Sequence, residues 1–298
     1  MNTSSRGLEK LIVKPGEHAD LRGRDPAWDG GELFASSKDQ ANEMLARSVA
    51  ELDAAQARLW ASDRYAVLVI FQALDAAGKD GTIRHVMSGV NPQGVEVTSF
   101  KQPSAEELAH DFLWRSAKAL PERGRIGIFN RSYYEEVLAV RVHPEWLGRQ
   151  HLGNGPFGKD FWQERFESIN AFERHLDRSG TKIVKFFLHV SKEEQRKRLL
   201  ARLDDPHKVW KFSADDVAER AHWDDYMSAF EQALTATSTK WAPWHVIPAD
   251  GKPLMRALVA AVIVEAIASL KLGHPEVSAE QRAANEQARC ELKAQGPR

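Results

Sequence analysis

The run VLVIFQALDAAGKDGTI, residues 67–83, joins an apolar segment to a helix start through a tight loop. No other stretch limits the fold as strongly. An unbroken apolar run of this length reads as a strand buried on both faces of a parallel sheet. Gly78-Lys79-Asp80-Gly81-Thr82 then opens a helix. The first N–H groups of a helix have no partner inside it, and the helix dipole favours an anion there. Lys79 adds a movable positive charge. The layout suits phosphate, but it departs from the usual G-x-x-x-x-G-K-[ST] loop. Ala73 stands where the first glycine belongs, and Asp80 where the metal-binding hydroxyl belongs. The competing reading is a chance glycine turn capping a helix. The strand before the loop and the apolar helix face after it (Ile83, Val86, Met87) favour phosphate.

The rest of the chain alternates in the same way. Residues 1–36 read as irregular, broken by Pro15, Gly16, Pro26, Gly30 and Gly31. Helical spacing predicts helices over 37–61, 78–88, 105–120, 159–178, 192–203, 213–234 and 253–272. Strands are expected at 65–71, 95–100, 125–129, 181–190 and 244–248, and the tail from about 274 is helical or frayed. Alternating strands and helices predict an α/β fold, a parallel sheet covered by helices on both faces. Three regions are expected: an N-terminal extension and helix over 1–60, one domain over 61–273 with a lid at about 204–215, and a tail over 274–298. In such sheets ligands bind beyond the C-terminal strand ends. The loops after 65–71 and after 125–129 both belong to that edge.

Composition removes several functions. The formal net charge is -1, so no global basic field marks a nucleic-acid binder. No apolar run approaches the roughly 20 residues that span a bilayer, and no signal-peptide core is visible. A single cysteine, Cys290, rules out an internal disulfide and a cysteine-rich metal site. The expectation is a cytoplasmic protein. The histidines show no metal-ligand spacing, and no nucleophile elbow is present.

Three polar segments carry candidate chemistry. Asp75 inside the phosphate loop would repel phosphate unless a cation lay between them, which points to Mg²⁺; otherwise it bonds its own backbone. In FNRSYYEE, Asn130 ends the next strand where P-loop enzymes place a metal-holding carboxylate. Arg131 beside it has the geometry to fork two phosphate oxygens. Glu135 and Glu136 read equally well as functional carboxylates or as acids complementing a helix start. The third segment gathers Arg196, Lys197, Arg198, Arg202, Lys208 and Lys211 around a helix-breaking Asp-Asp-Pro. It reads as a basic lid, or as a solvated face laced with charge pairs. Lys208 and Lys211, flanking Trp210, are the stronger phosphate candidates of the six.

Together these segments resemble the polyphosphate kinase 2 family. The resemblance rests on FQALDAAGKDGTIRHVMSGVNPQGVEVTSFKQPS, IGIFNRSYYEEVLAVRVHPE, DDPHKVWKFSADDVAERAHWDDYM and TSTKWAPWHVIPADGK, which extend over roughly 65–255. It implies a thymidylate-kinase-like P-loop kinase fold, three-layered, with a helical lid. It implies phosphoryl transfer between inorganic polyphosphate and nucleoside mono- and diphosphates, with Mg²⁺ or, in its place, Mn²⁺. Asp75, Lys79 and Arg131 take the catalytic positions. Ala76, Ala77, Gly78, Lys79, Asp80, Gly81, Thr82, Arg84, Lys101, Arg131, Arg198, Arg202, Lys208 and Lys211 take phosphate-binding ones. Asp75 and Glu136 would hold the metal; Asn130, Tyr134 and Glu135 would set nucleotide selectivity. Asn130-Arg131-Ser132 followed by Glu135 looks like the class III pattern, whose members use both monophosphates and diphosphates. Ala73 departs from the family's usual glycine. The resemblance also implies a homodimer or homotetramer. An ATP-dependent nucleoside monophosphate or small-molecule kinase and a non-catalytic polyphosphate or nucleotide sensor remain as rivals; the first needs an adenine-clamping segment and the second needs no turnover.

Overall fold

A computed structural model describes residues 7–31, 34, 37–153, 155 and 157–295 and, except for Lys211, their side chains. Six strands form one sheet: β1 (Ile12–Val13), β2 (Ala66–Gln72), β3 (Val95–Ser99), β4 (Ile126–Asn130), β5 (Thr181–His189) and β6 (Trp244–Pro248). Their order is β1-β6-β5-β2-β4-β3. All neighbours run parallel except β1, which pairs antiparallel with β6. That edge strand covers two residues, too few to leave a periodic signal in the sequence. Every residue of β2 is buried, as expected of a central parallel strand. Phe71 lies opposite Asn130 of β4, so the ends of β2 and β4 fall at one edge.

The helices are α1 (Lys38–Ser62), α2 (Lys79–Val86), α3 (Ala105–Leu108), α4 (Trp114–Lys118), α5 (Ala139–Val142), α6 (Lys159–Arg178), α7 (Lys192–Leu203), α8 (Ala214–Glu219), α9 (Trp223–Thr237), α10 (Lys252–Ala268) and α11 (Ala279–Ala294). One apolar layer joins the sheet to α1, α2 and α10; the other joins it to α6 and α9. The result is the three-layer α/β arrangement expected. In α1, Ser37 caps the first turn by accepting from Gln40 N–H at 3.2 Å. Ala41, Leu52, Ala55 and Leu59 make its buried stripe, which faces α10.

Two stretches that the spacing predicts as single helices are divided. The 105–120 stretch divides into α3 and α4, because the Asp111 carboxylate accepts from Leu113 N–H at 2.9 Å and holds a turn between them. The 213–234 stretch divides into α8, a 3₁₀ turn (Arg220–His222) and α9. The tail forms α11, capped by Ser278, with every described residue exposed.

Candidate active site

The loop between β2 and α2 is built as an anion cradle. Ala76 (φ 60°) and Gly78 (φ 110°) both take left-handed backbone conformations, which bend the chain sharply into α2. A methyl group at Gly78 would meet Met255 Cε at 3.3 Å, so glycine also serves a close approach. Thr82 N–H is bonded to Gly78 O at 2.9 Å. The Lys79, Asp80 and Gly81 N–H groups precede that first intrahelical bond and face outward. The Thr82 hydroxyl is spent on Gly78 O at 2.9 Å and takes a structural role.

Lys79 is buried and curls back over the loop. Its Nζ donates to Ala73 O at 2.8 Å and Leu74 O at 3.3 Å. Burial, and then the Arg131 charge, depress its pKa to about 8. Arg131 stands at the end of β4 with φ 65°, its N–H bonded to Phe71 O at 3.0 Å. This bond joins the ends of β2 and β4 and aims the guanidinium across the loop. Arg131 pairs with Asp75 on one side and with Glu135 on the other, at 2.9 Å. Burial pushes the Asp75 carboxyl up, but Arg131 and Lys79 outweigh it and hold the pKa below its usual value. Behind Glu135, Gln72 completes the arrangement. With its amide nitrogen toward the carboxylate, it donates to Glu135 Oε1 at 2.8 Å. Asn130 Nδ2 donates to Asp80 Oδ1 at 2.8 Å. Asp75, Arg131, Glu135, Asp216 and Trp223 line one cleft.

α7 grips the loop from behind. Gln195 Nε2 donates to Asp75 O at 2.9 Å. Arg198 Nη1 donates to Ala77 O at 2.7 Å and to Ala76 O at 3.3 Å, while its Nη2 reaches Ala249 O at 2.6 Å. Three successive loop carbonyls are therefore satisfied by α7. Arg198, expected among the phosphate ligands, instead shapes the loop that would bind them. Arg202 Nη1 pairs with Asp216 of α8 at 2.9 Å, and burial beside Asp75 raises the Asp216 pKa.

Other expected site residues lie elsewhere. Glu136 is buried on the opposite side of its turn, accepting from Gln150 at 2.8 Å and Arg165 at 3.1 Å. Burial raises its pKa, and it does not join Asp75. Tyr134 is a core residue. Its hydroxyl donates to Glu173 at 2.8 Å and accepts from Lys185 at 2.8 Å, and Lys185 also bonds Glu173 at 2.6 Å. It presents no group to the cleft. Lys101 is exposed, and its carbonyl is held by Arg115 at 2.9 Å. Lys208 is exposed and paired with Asp205. Arg84 lies near Arg256, each without a carboxylate in ion-pair range among the described residues. The Lys211 side chain lies outside the described set.

Gln72, Gln195, Asp216 and Arg220 escaped the sequence reading. Gln195 had a visible signal: with Arg198 and Arg202 it makes an i, i+3, i+7 polar face on α7. The others come together only through the fold.

A sequence profile described as Polyphosphate kinase 2 (PPK2) matches residues 35–275. An ADP-polyphosphate phosphotransferase from Rhodopseudomonas palustris is 55% identical over 275 residues, covering 92% of this chain and 94% of that protein. An AMP/ADP-polyphosphate phosphotransferase from Meiothermus ruber is 44% identical over 269 residues, covering 90% and 96%. The crystal structure of polyphosphate kinase 2 from Arthrobacter aurescens TC1 superposes with a TM-score of 0.84 at 41% identity, covering 94% of this chain and 96% of that one.

Proposed function

This chain belongs to the polyphosphate kinase 2 family, and we propose that its cleft transfers phosphoryl groups from polyphosphate to both nucleoside mono- and diphosphates, AMP and ADP foremost. Polyphosphate-dependent phosphoryl transfer to nucleotides is its activity. The acceptor range is the finer question, because one relative's name carries ADP alone and the other AMP and ADP. The observation that carries the reading is the Asp75–Arg131–Glu135 chain across the mouth of the loop. It sets a fixed guanidinium opposite Lys79 and the open N–H groups of α2.

Phosphoryl transfer asks for positioning and charge neutralisation more than for covalent chemistry. The Lys79, Asp80 and Gly81 N–H groups receive phosphate oxygens. Lys79, whose ammonium is held on two loop carbonyls, turns to the transferring phosphate and neutralises its charge there. Arg131 forks oxygens on the opposite side. Asp75, fixed by Arg131, fits a hard divalent cation, since Mg²⁺ binds through one or two carboxylates plus phosphate oxygens and water. No cluster of three metal-ligating side chains occurs among the described residues. Bound there, Mg²⁺ or Mn²⁺ would supply neutralisation of the phosphate charge.

No helix among the described residues is long and apolar enough to cross a membrane. Nucleotide acceptors and the one exposed thiol, Cys290, support a cytoplasmic setting. Family resemblance supports a homodimer or homotetramer, which light scattering measures. The acceptor range is tested by supplying polyphosphate and a divalent cation with AMP alone or ADP alone, and following ADP and ATP. Products from both acceptors are expected. ADP use without AMP use would refute the dual range.

A further inference from the structure

Gln195 is nearly fully buried in the first turn of α7, between the phosphate loop and the segment that follows α8. Its amide makes two bonds in opposite senses. Nε2 donates to Asp75 O at 2.9 Å, and Oε1 accepts from Arg220 Nη1 at 2.5 Å. A guanidinium only donates and a carbonyl only accepts, so the two partners fix the amide's orientation. No other uncharged side chain of that length can satisfy both at once. Arg220 lies in the 3₁₀ turn joining α8 to α9, and Nη1 also donates to Lys192 O at 3.1 Å. Further ties hold the α8 segment: Asp216 to Arg202 at 2.9 Å, and Glu219 to His143 at 3.0 Å and to the Tyr226 hydroxyl at 2.7 Å.

We infer that Gln195 is a positioning residue that ties the α8–α9 turn to the Asp75 peptide, so that the placement of that turn sets the placement of the loop aspartate. The geometry gives the route. A shift of Arg220 moves the amide oxygen, the same rigid amide moves its nitrogen, and the nitrogen holds the peptide that carries the Asp75 carboxylate. That carboxylate is the group paired with Arg131. The inference rests on the phosphotransferase reading above. It goes beyond that reading by naming a cleft-lining residue that governs turnover through its hold on the Asp75 peptide.

Its test is a kinetic cycle over Gln195→Leu, Arg220→Ala and the double variant, with Gln195→Glu alongside, in the full-length protein. A misplacement of about 1 Å at a reacting centre costs on the order of 100-fold in rate. Gln195→Leu is therefore expected to lower kcat by roughly 30- to 100-fold, with the nucleotide KM changed less than about threefold. Gln195→Glu keeps the Arg220 bond but cannot donate to Asp75 O, and its kcat falls as far. It also keeps the test alive should the leucine variant fail to fold. Arg220→Ala lowers kcat by about tenfold alone, and by less than about twofold when Gln195 is already leucine. Wild-type kcat in Gln195→Glu or Gln195→Leu, even with a lowered Tm, would overturn the inference, because a merely structural glutamine gives that result. So would multiplicative losses in the double variant. A wild-type protein with no polyphosphate-driven turnover would instead overturn the functional reading.

Discussion

Lys79 offers a test in which stability and activity part company. The buried ammonium has a pKa of about 8, against 10.5 for an ordinary lysine. The loop therefore carries a charge that burial and Arg131 disfavour. That depression is worth about 3 kcal/mol of destabilisation at pH 7, at about 1.4 kcal/mol per tenfold change. As pH rises through 8 the folded protein releases the proton, while the unfolded chain keeps it until above 10. Between those values the unfolded state binds more protons, so stability rises with pH. Lys79→Met keeps the length and removes the titration. The bonds to Ala73 O and Leu74 O are lost as well, but that cost does not depend on pH. Urea unfolding of both proteins at pH 7 and pH 10 isolates the charge. Wild type should gain about 2–3 kcal/mol on the methionine variant across that interval, while the variant shows at least a 100-fold loss of turnover at pH 7. A stability difference unchanged between pH 7 and pH 10 would refute the claim that Lys79 is held at an energetic cost awaiting phosphate.

Three further outcomes are expected. Glu135→Asn removes the carboxylate that holds Arg131 at 2.9 Å, and should lower AMP use more than ADP use in acceptor-specific kcat/KM; equal losses contradict its role in selectivity. Lys185→Met strands Glu173 in a fully buried site and should cost about 3–5 kcal/mol in urea unfolding; a change below about 1 kcal/mol would mean the pair is dispensable. Gly78→Ala places a side chain at φ 110° against Met255, and should cost about 1–3 kcal/mol with a clear drop in kcat; wild-type values for both would show the loop to be unstrained.

Much of the scaffold is readable from periodicity. The helices at Lys159–Arg178 and Lys192–Leu203 and the strand at Trp244–Pro248 have the bounds that spacing predicts. Apolar periodicity reports burial directly, and these elements are long or fully buried. It fails at Asp111, where one side chain bonding to the backbone divides a helix that the apolar pattern would continue. The site is less readable. Consecutive residues in a 3₁₀ turn point in different directions, so Glu135 reaches Arg131 while Glu136 reaches Arg165. Sequence spacing places both at one turn and cannot separate them. Arg198 looks like any other cation of the basic run, yet its fork meets carbonyls of the loop. Lys185 interrupts the apolar run of a buried strand; that signal is visible in the sequence, and it marks the ion pair that makes Tyr134 a core residue.

If the Asp75–Arg131–Lys79 cleft moves phosphate from polyphosphate to a nucleotide, turnover depends on the Asp75 carboxylate. The direct measurement is ATP formation from ADP and polyphosphate, with a divalent cation and no ATP supplied, in wild type and in Asp75→Asn. Asparagine keeps the size of the side chain and its place on the loop, but removes the charge that Arg131 holds. Wild type should form ATP in proportion to the polyphosphate consumed, and Asp75→Asn should form it at least 100-fold more slowly with its fold intact. ATP formation by Asp75→Asn at the wild-type rate would place the chemistry elsewhere in the molecule.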